Sequence, residues 1–366
     1  MKDSIQRLLF MVVLACLVQG CQSDSDKDNQ ADNSVAQPSE YNGPGSTWAV
    51  SLHTDTFTIT RKDNPAAAVN LTINGDFIAL DSGFLEMTVT EASGIDAPAP
   101  GEKAYGLEVP DYAFLLQPDD SGQLISMVAA GTCPTENIEA NWIIVKMRDG
   151  ASASDASQDF FGQFNFDVST NHASIPSRYS LTGESLGGND IGTGECNNGI
   201  MIVGESDDRA AMYLTDNGGA IVQTSLDDEA ESSFIFGLEA KAMNNLANLE
   251  GNYSGWLFNS DDSDSDKVTA VAMSCDAAGV CNGAILNLLT GAMSTDDEVT
   301  ITLTGPDSPQ IGFIDGYIEG DSGDGSMFCM VDIDASSSGQ KIVSCTGQSP
   351  GEVDKMFNVI FVSIET

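Results

Sequence analysis

The sequence predicts an all-β protein of antiparallel sandwich-like or barrel-like domains, and three observations carry that prediction. Short segments rich in Val, Ile, Phe, Tyr and Thr recur along the chain between clusters of Gly, Asp, Asn, Ser and Pro. This is the period-two pattern of half-buried strands punctuated by turns. One stretch alone, Leu238 to Leu249, lacks β-branched residues and is rich in Leu, Ala and Asn, with Glu, Lys and Met; it is the single helix expected. Finally, of the six cysteines beyond Cys21, four fall at places where hairpins would join them in pairs.

Taken in chain order, residues 1–20 read as an export signal. Lys2 and Arg7 give a positive start, and Leu8 to Val18 form an apolar run too short for a bilayer, which takes roughly 20 such residues. Then comes Val18-Gln19-Gly20-Cys21. This resembles the lipobox of bacterial lipoproteins, with an aliphatic residue, one intervening residue, a small residue and then cysteine. The resemblance implies that Cys21 is acylated and becomes the amino terminus; Cys16, after Val13-Leu14-Ala15, is a rival that would leave a very short apolar run. Several acyl chains on one cysteine give the stable membrane anchoring that a single chain does not. Gln22, not aspartate, follows Cys21, which in enteric-type bacteria resembles lipoproteins forwarded to the outer membrane. The expected partner is therefore the membrane itself, through Cys21.

Residues 21–46 read as the lipidated cysteine and a tether. Asp, Ser, Asn, Gln and Gly dominate from Gln22 to Ser46, with almost no large apolar residue before Tyr41. Such a segment buries too little surface to offset the entropy of ordering, and as a flexible coil it reaches roughly 25 to 30 Å.

Residues 47–240 are expected to form an amino-terminal β-rich domain. Its strands include Thr56 to Arg61, Gly83 to Thr90, Tyr112 to Gln117, Leu124 to Ala129, Asn141 to Met147, Phe161 to Val168 and Ile200 to Gly204. Asp216-Asn217-Gly218-Gly219 separates Ala211 to Thr215 from Ala220 to Thr224 and reads as a hairpin. The helical stretch 238–249 marks the domain boundary.

The last domain, 249–366, offers eight strands of similar length: Asn252 to Phe258, Lys267 to Cys275, Cys281 to Leu289, Glu298 to Thr304, Ile311 to Glu319, Met327 to Asp334, Lys341 to Thr346 and Met356 to Ile364. That series suits an up-and-down barrel or a two-sheet sandwich, and a barrel would pair the last strand with the first. A faint repeat links Tyr179-Ser180 and Cys196-Asn197-Asn198-Gly199-Ile200 with Tyr253-Ser254 and Cys281-Asn282-Gly283-Ala284-Ile285.

An even number of cysteines in an exported chain implies disulfides. Around the turn 335–339, hairpin register sets Cys329 opposite Cys345 and Val331 opposite Val343; around 276–280 it sets Cys275 opposite Cys281. Opposed strand residues lie at disulfide distance. Cys133 and Cys196 pair by elimination. No Cys-x-x-Cys occurs and the chain has two histidines, which argues against zinc or redox chemistry.

The chain carries 14 Lys plus Arg against 55 Asp plus Glu, a formal charge of −41. A field of that sign repels phosphate backbones, which excludes nucleic acid as a partner. It suits solubility in salty surroundings, or weak binding of divalent cations at many sites. Asp262, Asp264 and Asp266 alternate as calcium-loop ligands do, but Lys267 and Met273 stand where such a loop needs Gly and Glu, so they read as a solvated loop. Asp321-Ser322-Gly323-Asp324-Gly325 is a similar stretch. No cofactor motif is present.

Catalytic patterns fail on context. Gly183-Glu184-Ser185-Leu186-Gly187 matches the nucleophile elbow, yet Gly188-Asn189-Asp190 would not start a helix, and both His53 and His172 precede Ser185. Acids are too many for any carboxylate pair to be singled out. One further motif, Gly251-Asn252-Tyr253-Ser254-Gly255-Trp256, resembles, with looser spacing, the Gly-x-Trp opening strand of lipocalin-type barrels. That resemblance implies carriage of a small apolar ligand near Tyr253 and Trp256. The sequence thus points to an exported, lipid-anchored cell-envelope lipoprotein with a non-catalytic binding, adhesion or structural role toward an envelope protein or glycan. The alternative is a lipocalin-like carrier whose ligand sits in the carboxy-terminal barrel; an enzyme acting on polysaccharide comes third.

Overall fold

The computed structural model describes Ser39 to Ile364 apart from 44–47, 64–66, 119–123, 130, 147–160, 198, 206–207, 216–219, 226–232, 260–267, 306–311, 320–322, 336–338 and 350–351. The all-β expectation holds. The chain from Pro38 onward forms one compact unit of three closed, eight-stranded antiparallel barrels.

The first barrel runs from β1 (Ser39–Asn42) to β8 (Ile125–Ala129), in simple up-and-down order, and closes when β1 pairs with β8. The second runs from β9 (Ile138–Lys146) to β16 (Ser233–Glu239), with β9 paired to both β10 (Phe161–Asp167) and β16. The third runs from β17 (Gly251–Asn259) to β24 (Glu352–Ser363), whose pairing closes the sheet on itself. Closure removes the open edges that would otherwise template aggregation. The eight strands read from the last segment are therefore a barrel, not a sandwich.

Three expectations are corrected. The stretch 47–240, read as one domain, holds most of one barrel and all of a second. The tether was drawn through Ser46, yet Ser39–Asn42 is β1, because Tyr41 is fully buried and stacks on Phe114 at 5.5 Å. A single large aromatic suffices to order a polar strand when both neighbours pair with it. The helix at 238–249 is absent: Leu238 belongs to β16, and only Leu246–Leu249 makes a 3-10 turn. There Met243 and Leu249 turn inward with the core of the third barrel, so burial, not helix propensity, decides the conformation.

Each barrel has its own apolar interior, and a fourth, shared cluster lies between the barrels. In β17, Tyr253 faces the interior of the third barrel, while Trp256 and Phe258 face the seam. Trp256 meets Phe84 of the first barrel edge-on at 4.9 Å, and Phe161 of the second stacks on Phe328 of the third at 4.4 Å. Strands on the seam are buried on both faces, so they read as unbroken apolar runs instead of alternating ones. Ala113-Phe114-Leu115-Leu116 in β7 (Ala113–Gln117) and Val359-Ile360-Phe361-Val362 in β24 are the clearest. Polar ties cross the same seam: Ser254 Oγ donates to the Ser82 carbonyl at 2.5 Å, and Asn358 Nδ2 to the Ile144 carbonyl at 3.3 Å.

The disulfides are Cys275–Cys281, Cys329–Cys345 and Cys133–Cys196. The first two join directly opposed residues, and Val331 indeed faces Val343. The third ties the connection after the first barrel to β12 (Ser185–Asn197) in the second. The faint repeat is not structural. Tyr179 ends β11 (His172–Tyr179), the third strand of its barrel, whereas Tyr253 lies in the first strand of its own.

Candidate functional site

Among the described residues, the three barrel interiors differ in the cavities they hold. The third retains a void of about 10 Å³ among Tyr253, Ile301, Leu303 and Phe361, and the second one of about 10 Å³ beside Trp142, Phe164 and Met212. Either would hold at most a single water. The first barrel instead opens at one end into a cavity of about 230 Å³. A cavity of about 150 Å³ is enough for benzene.

The walls of this cavity follow from strand alternation. In β3 (Thr56–Lys62), Phe57, Ile59 and Arg61 share the inward face while the threonines between them face out. In β4 (Val69–Ala79) the inward residues at this end are Leu71 and Ile73, and in β5 (Phe84–Gly94) Val89 adds a third wall. Ala104, opposite Met87, leaves room that a larger side chain would take. The alternation that makes Phe57 and Ile59 core makes Arg61 an inward-facing cation at the rim. That is the sequence signal for this site: a charge in register with an apolar face.

Arg61 is held from three sides. Its guanidinium lies 5.6 Å from the centre of the Trp48 ring, its cross-strand neighbour, a cation–π arrangement. It donates to the Ile95 carbonyl at 3.2 Å and pairs with Asp96 at 3.7 Å. Ile95 and Asp96 begin the connection from β5 to β6 (Lys103–Val109), which lies against the cavity mouth through Asp96, Pro98 and Glu102. Gly94 (φ 119°) and Asp96 (φ 54°) both adopt left-handed backbone, and this turns the carboxylate back over the barrel end. At Gly94 a Cβ would collide with the Asn70 carbonyl oxygen at 2.0 Å, so glycine is required there. The other lining cation, Lys103, is engaged with Glu86 at 2.6 Å.

The opposite end of the same interior carries an acid. Tyr41 donates to Glu108 Oε1 at 2.5 Å. Burial pushes the Glu108 carboxyl above its ordinary range, against the opposing pull of the Tyr41 hydrogen bond, and the Asp111 charge adds to the rise. Tyr41 is raised in turn by its own burial and by the Glu108 charge. The first barrel therefore has an apolar middle, a partly buried hydrogen-bonded acid at one end and a partly exposed cation at the other.

The residues singled out from sequence fall elsewhere. Trp256 is sealed in the seam, and Tyr253 donates to the Leu249 carbonyl at 2.7 Å inside the filled third barrel. Neither meets a cavity of ligand size, so the expectation of a ligand in the carboxy-terminal barrel is corrected. Asp262, Asp264 and Asp266, like Cys21, lie outside the described residues. Ser185 opens strand β12 and is followed by extended chain, as the elbow's rejection required. His172 pairs with Asp190 at 2.7 Å on an exposed face. Among the described residues no group of three His, Cys, Asp or Glu is placed to hold a metal ion. A second recess, of about 260 Å³, lies between Val331 of the third barrel and the 241–248 connection, where Lys241 is already committed to Glu239 and Asp332.

No protein-family model and no curated protein sequence matches the chain. Among solved structures, a variant of the vaccine antigen transferrin binding protein B from Haemophilus parasuis overlaps 87% of this chain and 66% of its own, at 11% identity and a TM-score of 0.28. Transferrin binding protein B from Neisseria meningitidis overlaps 87% of this chain and 64% of its own, at 10% identity and 0.19. A protein of unknown function from Nostoc punctiforme overlaps 89% and 96%, at 9% and 0.20. This chain thus spans about two thirds of the length of the transferrin binding proteins. Superpositions this loose establish no common function.

Proposed function

We propose that this protein is a non-catalytic, lipid-anchored envelope protein that binds a small apolar ligand in its first barrel. One observation carries the binding role: the first barrel keeps about 230 Å³ open at its rim, whereas the voids found among the described interior residues of the other two hold about 10 Å³ each. Protein interiors close-pack by default, so a cavity of that size inside a barrel is a departure from the default. Space retained there, lined by Phe57, Ile59, Leu71 and Val89, fits ligand binding. Scaling from benzene, the cavity takes about nine carbon-sized atoms. Burying about eight methylenes contributes at most roughly 6 kcal/mol, and the cost of association offsets part of it, so binding is expected to be no tighter than tens of micromolar.

The anchoring role rests on Cys21 and the stretch behind it. Polar chain from Gln22 to Pro38 separates the lipidation site from β1, long enough to present the barrels away from a membrane.

Octan-1-ol is the probe for the cavity. Titrated into the chain from Gln22 to Thr366, it should shift Trp48 emission, since Trp142 and Trp256 are buried away from the rim. Ala104→Phe, which fills the cavity, should abolish that shift without loss of fold. An unchanged spectrum together with no calorimetric heat would sink the binding role. Cys21→Ser should move the protein from the membrane fraction to the soluble one, and retention in the membrane would rule out the anchor.

A further inference from the structure

We infer that the ligand of the first barrel is an amphiphile with an anionic head, a short-chain alkyl carboxylate in chemical class, and that Arg61 receives the head by exchanging Asp96 for it. This rests on the cavity being a ligand site.

The argument starts from the position of Arg61. It is inward-facing, only 25% exposed, and stands where apolar wall gives way to solvent. A ligand whose tail lies along Phe57, Ile59 and Leu71 brings its polar end to the guanidinium. An arginine presents a planar fork that matches a carboxylate with two parallel hydrogen bonds. Its present acid partner does not use that fork well: Asp96 is 83% exposed and sits 3.7 Å away, a solvent-screened pair of little strength. Asp96 therefore occupies the place of an incoming carboxylate and is readily displaced.

The Asp96 loop can yield without disturbing the sheet. Its backbone is tied at both roots, where Ile95 N–H donates to the Asn70 carbonyl and Gly101 N–H to the Val89 carbonyl. Between them, among the described residues, its ties to the barrel rim are the Ile95 carbonyl and Asp96 contacts to Arg61. Ile95, whose carbonyl accepts from Arg61, leaves 56% of its surface exposed, so the loop is not anchored there by burial of its apolar side chain.

The charge of the whole chain sharpens the inference. At −41 the protein repels anions at long range, so an alkyl cation would be the easier ligand to attract. The rim acids Asp96 and Glu102 would serve such a cation. Arg61, set deeper than either, favours the carboxylate.

The test compares octanoate, octan-1-ol and octylamine on the chain from Gln22 to Thr366 at neutral pH by calorimetry. Octanoate should bind about tenfold more tightly than the alcohol, and the amine no better than the alcohol. Arg61→Gln should abolish the preference for octanoate over the alcohol, read as the ratio of the two affinities in the same variant. Asp96→Asn, which tolerates the same left-handed backbone, should raise that ratio severalfold. Equal binding of octanoate and alcohol by the natural protein overturns the anionic head and leaves the cavity reading standing. Tighter binding of the amine assigns the rim to Asp96 and Glu102 and also overturns it. Binding of none of the three overturns both readings.

Discussion

The hydroxyl of Tyr112, in the turn before β7, donates a 2.7 Å hydrogen bond to the carboxylate of Asp332 in the third barrel, 220 residues away. Both side chains are buried, and Lys241, on the connection between the second and third barrels, approaches the same carboxylate at 3.3 Å. One carboxylate thus fastens the first barrel, the third and the connection that leads into it.

Removing the hydroxyl leaves a buried carboxylate with one donor fewer. Tyr112→Phe should lower the unfolding free energy by about 1.5 to 3 kcal/mol, the range for hydrogen bonds to charged groups. Lys241 is 40% exposed and has Glu239 at 3.0 Å as well, so Lys241→Met should cost less than about 1 kcal/mol. Urea unfolding of the two variants orders them. Equal losses would mean that the ammonium, not the phenol, secures Asp332.

Three of the seven tyrosines should resist alkaline titration. Burial raises Tyr41, Tyr112 and Tyr253; the Glu108 charge adds to the first and the Asp332 charge to the second. In the unfolded chain a phenol ionises near pH 10, while in the folded protein these three stay neutral. The unfolded state then releases protons that the folded state keeps, so stability is complete below pH 10 and falls as pH rises above it. Ultraviolet titration should show these three ionising only together with loss of the fold. Smooth titration of all seven while the barrels stay folded would contradict their burial.

The disulfides should differ in worth by the loop each closes. Cys133–Cys196 spans 63 residues, Cys329–Cys345 spans 16 and Cys275–Cys281 spans 6. Loop-closure entropy then gives about 4, 3 and 2 kcal/mol respectively. Pairwise replacement by alanine, followed by thermal unfolding, should reproduce that order. A larger loss at Cys275–Cys281 than at Cys133–Cys196 would show that local packing in the third barrel outweighs the chain constraint.

Much of this architecture was legible, and the failures have identifiable causes. The third barrel was readable because its strands are evenly long, and because Cys329 and Val331 share a parity with Cys345 and Val343 across a short turn. The second barrel was not counted, since β12 contains Gly187, Gly188, Gly192 and Gly194 with Asn189 and Asp190, residues of turns more than strands. It is held extended by β11 on one side and β13 (Ile200–Glu205) on the other. The seam was not read, although Ala113 to Leu116 and Val359 to Val362 carry its signal, an unbroken apolarity that means burial on both faces. Tyr253 and Trp256 drew notice as aromatics, yet strand parity sends one into a filled interior and the other into the seam. Arg61 was overlooked because its place in Phe57-Thr58-Ile59-Thr60-Arg61 reads as a polar strand end. Only closure of the barrel shows that the inward face there borders a cavity.

Glu108 supplies the remaining test, on the acid side. Its carboxyl lies inside the first barrel, and burial raises it above the range of a free glutamate, with Tyr41 as its hydrogen-bond donor. An unfolded glutamate ionises near pH 4.3, the folded one at higher pH. Below that window both states hold the proton, and the group does not weaken the fold. As pH rises through the window the unfolded state releases its proton first, so stability is lost until the folded carboxyl also ionises, and then levels off. Glu108→Gln keeps an acceptor for the Tyr41 hydroxyl and has no proton to lose. The stability of the variant relative to the natural protein should therefore improve as pH rises above about 4.3, the unfolded value, and level off once the folded carboxyl has ionised, whatever fixed offset the substitution introduces. Thermal unfolding at a series of pH values reads this directly. A difference between the two proteins that stays constant across that range would mean that the first barrel admits water as far as Glu108.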